Sequence, residues 1–246
     1  GAEGRSSRLA MRHLMLLWCA TAVLAQGPVK PVTEWDGAEL VLAYPDLAGL
    51  RFAESQAELA PLLKRAGEST ERMLTALPGV AADEEIHELR FDRGGGVTER
   101  TERFRYVMRY AWRGTETVLD EFRTLPGSEA PAPPPQTSGY LVLNHFERLL
   151  EWFLPESRGL SEFRLAGRMG DGVAVVLFAQ RAGTRLRSPV VVDAGGQTAR
   201  LHGVAWIDEA SGQILRVHAE MADRVAGFPL ETVGVDVRFA AVEGAG

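Results

Sequence analysis

The chain predicts an α+β fold, an antiparallel sheet that helices interrupt without alternating with its strands. Three observations carry that reading. Residues 201–221, LHGVAWIDEASGQILRVHAEM, form two alternating segments around a tight polar turn. Strand-like runs at 163–166, 173–180, 189–193, 201–207, 214–221 and 232–242 are separated by glycine-bearing turns of hairpin length. Helical periodicity is confined to two stretches, which argues against a parallel α/β arrangement.

Taken in order, residues 1–25 read as a leader. Arg12 and His13 precede the apolar run 14–25, which ends in Val23-x-Ala25, the pattern of a secretory signal peptide, and Met11 reads as the natural start. A run of that length is short for a bilayer span; an uncleaved membrane anchor is the alternative. Cys19 is the only cysteine, and Leu17-Trp18 before it is a poor lipidation context. Cleavage after Ala25 leaves no cysteine for a disulfide, a thiolate nucleophile or a zinc site.

Residues 26–58, with Pro28, Pro31 and Pro45, read as an extended lead-in to a single domain at 59–246. From Leu59 the apolar positions Leu62, Leu63, Ala66, Met73, Leu74 and Leu77 recur at helical spacing, Thr70 fills the gap in the stripe, and Pro78-Gly79 closes the helix. Strands follow at 84–92, 98–112 and 115–125, the first two joined by a turn at 93–96. In the second, Phe104, Tyr106, Met108, Tyr110 and Trp112 alternate with a face bearing Arg103, Arg105 and Arg109. Residues 126–139 form a proline-rich loop, and Asn144 caps a helix running to Leu154.

Composition narrows the functions. The 246 residues are 46% hydrophobic, enough for one sizeable core. Of 27 basic residues only Lys30 and Lys64 are lysines, a bias that fits a GC-rich genome. Removing residues 1–25 deletes three arginines and one glutamate and takes the net charge from −6 to −8. An acidic chain is a poor partner for nucleic acid or anionic lipid surfaces. Membrane contact is expected to be transient, or through an uncleaved leader.

Chemistry-bearing motifs are sparse. His13 lies in the leader, and His87, His145, His202 and His218 form no HxH or HExxH pair. His202 and His218 face each other only if their hairpin carries an irregular turn or a bulge; a third metal ligand from Glu220 or Asp236 is a guess, and no cofactor is implied. Asp208-Glu209-Ala210-Ser211-Gly212 lacks the ligand count of a calcium loop and reads as a turn, with Asp208 accepting from nearby amides and Gly212 supplying positive φ. Leu215, Val217 and Ala219 are expected on one face of the last hairpin strand, with Arg216, His218 and Glu220 toward solvent. No GxSxG element is present, and the arginine face is expected to pair with acidic residues such as Glu99, Glu102, Glu116 and Glu121.

The hairpin sequence Trp206-Ile207-Asp208-Glu209-Ala210-Ser211-Gly212-Gln213-Ile214-Leu215-Arg216, preceded by a leader, a long helix and an antiparallel meander, resembles that of the LolA/LolB and LppX-like lipoprotein-sorting superfamily. It is also similar to a group of exported proteins from acidobacteria-type genomes. The resemblance implies a curved antiparallel sheet, an incomplete β-barrel with helices packed on or in its concave face, and a periplasmic or secreted protein. It further implies a non-catalytic carrier of a lipid-like or other apolar ligand. The apolar face would then comprise Phe104, Tyr106, Met108, Tyr110, Trp112, Phe122, Val175 and Leu177. Those residues equally suit an ordinary core, in which case the protein is a structural or interaction module of the cell envelope with no ligand. An apolar cavity of roughly 300 Å³ or more would separate the two.

Overall fold

A computed structural model describes residues 30–76, 81–91, 97–113, 116–128, 130–132, 148–170, 172–184, 191–192, 197–198, 200–223 and 234–239. The leader with Cys19, the turn at 93–96, most of the proline-rich loop, and Asn144 with His145 lie outside the described residues.

The fold is α+β, built on a large open antiparallel sheet. Residues 30–50, expected to be an extended lead-in, instead fold into a strap of short helical turns. A 3-10 turn at Val32–Glu34 leads into helix α1 (Gly37–Ala43), a second 3-10 turn at Pro45–Leu47, and the two-residue strand β1 (Arg51–Phe52). Helix α1 starts where it does because Asp36 accepts from the amides of Ala38 and Glu39 while Glu39 accepts from the Asp36 amide, a capping box. Replacing Asp36 with alanine is expected to cost about 1 kcal/mol locally. Faster hydrogen exchange at the Tyr44 amide, which donates to Leu40 O at 2.8 Å, is the readout.

Helix α2 (Leu59–Ala76) matches its predicted stripe: Leu62, Leu63 and Ala66 are buried, and Thr70 fills the stripe with 3% exposure. Next come β2 (Ala81–Phe91), β3 (Val97–Arg113) and β4 (Glu116–Thr124), which pair in that order as a separate three-stranded sheet. Helix α3 (Arg148–Glu151) is shorter than the helix expected to reach Leu154. From there the Phe153 and Leu154 amides donate three residues back, to Leu150 O and Glu151 O, and the chain turns ahead of Pro155.

Strands β5 (Ser161–Met169) and β6 (Val173–Gln180), a small hairpin of β7 (Val191–Val192) with β8 (Gln197–Thr198), then β9 (Leu201–Asp208), β10 (Ile214–Met221) and β11 (Gly234–Arg238) complete the chain order. The main sheet has six strands in the order β1-β5-β6-β9-β10-β11, all antiparallel. Its register shifts at two places, between Leu165 and Gly167 and between Ile214 and Arg216. Each shift inserts one extra residue and turns the side chains beyond it.

Both faces of this sheet are covered. On one, Leu165, Val176, Phe178, Ala205, Ile207 and Val217 pack beneath α2 and beneath Leu149, Leu150, Trp152 and Phe153. On the other, Val175, Leu177, Val204 and Trp206 pack beneath Val32, Leu40, Tyr44, Leu47 and Leu50 of the strap. Strands β6 and β9 are therefore buried on both sides nearly throughout. Among the described residues no helix is long and apolar enough to cross a membrane.

Candidate functional site

The eight residues expected to line one apolar face are divided between two sheets. Phe104 and Tyr106 are buried on β3, and Tyr106 packs against Met73 and Leu74 of α2. Met108, Tyr110 and Trp112 continue along β3 opposite Glu121, Leu119 and Thr117. Phe122 pairs with Val107, so the register places it on the face away from Phe104 and Tyr106. Val175 and Leu177 belong to the other sheet and are fully buried under the strap. Between Phe104 and Tyr106 lies the buried Arg123, its guanidinium carbon 6.0 and 5.9 Å from the two ring centroids. That cation makes the face less apolar than its alternation implied.

The arginine face is matched by charge across the ladder. Arg103 and Arg105 of β3 sit opposite Glu85 and Asp83 of β2. Arg109 and Arg113 sit opposite Asp120 and Glu116 of β4. Of the acids expected as partners, Glu116 holds such a position, whereas Glu99, Glu102 and Glu121 lie opposite Leu89, Ile86 and Met108. Opposite charges directly across a ladder favour this register over attraction of a free anion.

A groove of about 300 Å³ opens beside α2, lined by Ser69, Thr70, Arg72 and Met73, by Leu150 of α3, and by Gln213 and Ile214 of the hairpin. Its lining mixes apolar and polar side chains, with the apolar surface the larger part. The hairpin turn beside it has the expected structure: Asp208 Oδ1 accepts from the Ser211 amide at 2.7 Å and hydroxyl at 2.6 Å. These bonds hold the Asp208 carboxyl below its usual range. Gly212 has φ +72°, and a Cβ there would lie 2.5 Å from the Arg65 carbonyl, so the turn sits against the α2 backbone. Arg65 Nε donates to Glu209 O at 3.1 Å and fixes the approach.

The densest polar cluster lies under the strap, and sequence reading missed it. Leu215 is the extra residue at the β10 bulge, and it packs toward the strap instead of sharing a face with Val217 and Ala219. Arg216, His218 and Glu220, expected in solvent, are instead part-buried against the strap. The bulge also moves the register away from a His202–His218 pairing: His202 faces Glu220, and His218 faces Val204 and Asp236. No group of three metal-ligating residues occurs among the described residues.

In this cluster His202, 3% exposed, accepts the Val32 amide at Nδ1 (3.1 Å) and places Nε2 3.5 Å from Glu220 Oε1. Nδ1 as acceptor requires the Nε2–H tautomer. Tyr44 donates its hydroxyl to the same carboxylate oxygen at 2.7 Å. Burial first, then that carboxylate, pushes the Tyr44 hydroxyl far above its usual range. The His202 hydrogen bond outweighs burial and, with Tyr44, holds Glu220 below the usual glutamate range.

One step along, Arg216 Nε donates to Asp236 at 2.9 Å; its terminal nitrogens bind Asp236 and Asp46 of the strap, and its guanidinium carbon stands 4.3 Å from the Trp206 ring centroid. Burial pushes Asp236 up, but the Arg216 bond and charge keep it low; the same hydrogen bond raises Arg216. The His218 ring lies edge-on to Tyr44, with Nδ1 3.4 Å from Asp236.

Chemically this is a clasp. Both His202 nitrogens are engaged and the Tyr44 proton is held tightly, so neither is placed to act as base or nucleophile. Because Glu220 and Asp236 have lowered native values, their contribution is complete above the ordinary carboxylate range and is lost as pH falls through those values. Urea midpoints are therefore expected to decline on acidification, and Glu220→Gln to flatten that decline. The sequence signals for the clasp were slight: a capping-box pair at Asp36 and Glu39, and polar residues alternating along 216–220. Comparison with protein-family models, with curated proteins and with solved structures returns no match.

Proposed function

We propose that this chain is a non-catalytic interaction module of the cell envelope whose main sheet is a scaffold. One observation carries the reading. The sheet is packed on both faces, so the surface that a carrier would leave open to an acyl chain is occupied by α2 and α3 on one side and the strap on the other. Val175 and Leu177 are core residues in this reading, and the leader at 1–25 delivers the module to the periplasm or beyond. Binding then falls to surfaces other than the sheet faces, and the composition of the proline-rich stretch 126–139 makes it the proposed partner contact.

Carriage of an apolar ligand is the second reading. It is favoured by the groove beside Met73, because that residue also packs on Tyr106 at the base of the aromatic strand. Native mass spectrometry and lipid extraction of the chain purified from a periplasmic fraction separate the two. The polypeptide mass alone is expected, together with in-cell crosslinks that disappear when 126–139 is deleted. A stoichiometric lipid would overturn the scaffold reading in favour of the carrier.

A further inference from the structure

The strap is tied to the sheet by two separate sets of polar contacts. Its first half is held by the Val32 amide on His202 Nδ1, by the Trp35 ring edge-on to His202 at 5.7 Å, and by Arg164 on the Trp35 carbonyl. Its second half is held by Tyr44 on Glu220 and by Asp46 on Arg216. Only the first set depends on an imidazole lone pair.

We infer that the strap is a proton-operated latch in which charging of His202 releases the segment around Val32 while the segment around Tyr44 stays docked. A proton on Nδ1 would point at the Val32 N–H, turning an acceptor into a second donor. A buried amide that loses its acceptor without reaching water is destabilised, so the local backbone must move out. The opposite ring nitrogen already faces Glu220 on β10, the neighbouring strand. Charging the ring thus converts a strap–sheet bond into an ion pair within the sheet.

The surrounding groups fit this division. From β10, Glu220 faces His202 and takes the Tyr44 hydroxyl; from β6, the residue opposite is Ala179, which does not titrate. From the strap come the Val32 amide and the uncharged Trp35 ring, with the Arg164 guanidinium at the Trp35 carbonyl. His218 lies beyond the Tyr44 ring, with Nδ1 3.4 Å from Asp236. Arg216 is held between Asp46 and Asp236. Acid therefore weakens one tether and leaves the Tyr44 and Asp46 tethers in place, as long as Glu220 and Asp46 remain ionised. The inference concerns the strap alone and stands whichever reading of the function holds.

The test follows ring nitrogens and amide exchange by NMR on the full chain, between about pH 8 and pH 5, where imidazoles ordinarily change charge. The Val32 protection factor, corrected for intrinsic exchange, is expected to fall about tenfold with the same midpoint as His202 Nδ1, while the Val204 and Ala219 amides stay protected. In His202→Asn the amide oxygen replaces Nδ1 as acceptor but does not titrate, so Val32 is expected to stay protected throughout. His218→Asn is expected to retain the transition. Val32 protection that persists through His202 titration overturns the latch, as does loss of the transition in His218→Asn. If His202→Asn fails to fold, co-titration in the unaltered chain decides by itself.

Discussion

Phe178→Ala is expected to destabilise the chain by about 4 kcal/mol, within the range for emptying a buried aromatic site. Over a chain of this size that corresponds to a fall in Tm of roughly 10 °C, read by thermal melting. Phe178 is fully buried on β6, and the rings of Trp152 and Phe153 stand 4.9 and 6.0 Å from it. Those two rings come from the turn after α3, whose backbone is also pressed against α2. A Cβ on Gly67 would lie 2.9 Å from Phe153 O, so the layer has little room to settle into the vacated space. Trp152→Ala is expected to cost a similar amount. The double variant should cost less than the sum, because both changes open the same cavity. A loss below about 1 kcal/mol for Phe178→Ala would show that α3 collapses onto the sheet.

Gly203→Ala is expected to be nearly as damaging, at about 3 kcal/mol or more, because the added methyl has backbone on one side. Gly203 lies on β9 opposite Ala219 of β10 and Phe178 of β6. A Cβ there would overlap the carbonyl oxygen of His218 and sit 2.9 Å from Ala219 Cα, so no rotamer change relieves it. Either the ladder opens at this pair or the hairpin shifts. Gly159→Ala is the control, since nothing lies within 4 Å of its added atom. Urea midpoints should drop for the first and hold for the second. Equal midpoints would mean that β9 and β10 separate at small cost.

The parts of this fold that were legible in the sequence are those with a long repeat. Helix α2 and strands β6 and β10 begin and end within a residue or so of where period and turn chemistry put them, because each carries its own signal over eight residues or more. The Asp208 to Gly212 turn was equally legible, since its hydrogen bonds are made within the turn itself. The strap was not. Its helix has seven residues, too few for a periodic stripe, and its prolines suggested extended chain. Two cues did exist: the Asp36-x-x-Glu39 capping pair, and the unbroken apolar run VAVVLF at 173–178, which marks a strand buried on both faces. Register was beyond reach for a different reason. The extra residue at Leu215 has no local signature, yet it determines that His202 meets Glu220 instead of Ala219. Alternation along β3 was visible, but nothing in it showed that Val175 and Leu177 belong to another sheet.

The charge arrangement of β2, β3 and β4 also bears on how many copies of this chain can coexist in solution. The arginine-rich strand lies in the middle; the outer strands carry Asp83, Glu84, Glu85 and Glu88 on one side and Glu116, Asp120 and Glu121 on the other. Two molecules approaching edge to edge through these strands would set acid against acid, whichever edge each presented. Long unpaired strands ordinarily template polymerisation, and like charge along both margins opposes it. The order of the three strands thereby sets every arginine of β3 across from an acid and leaves an acidic excess on both outer strands.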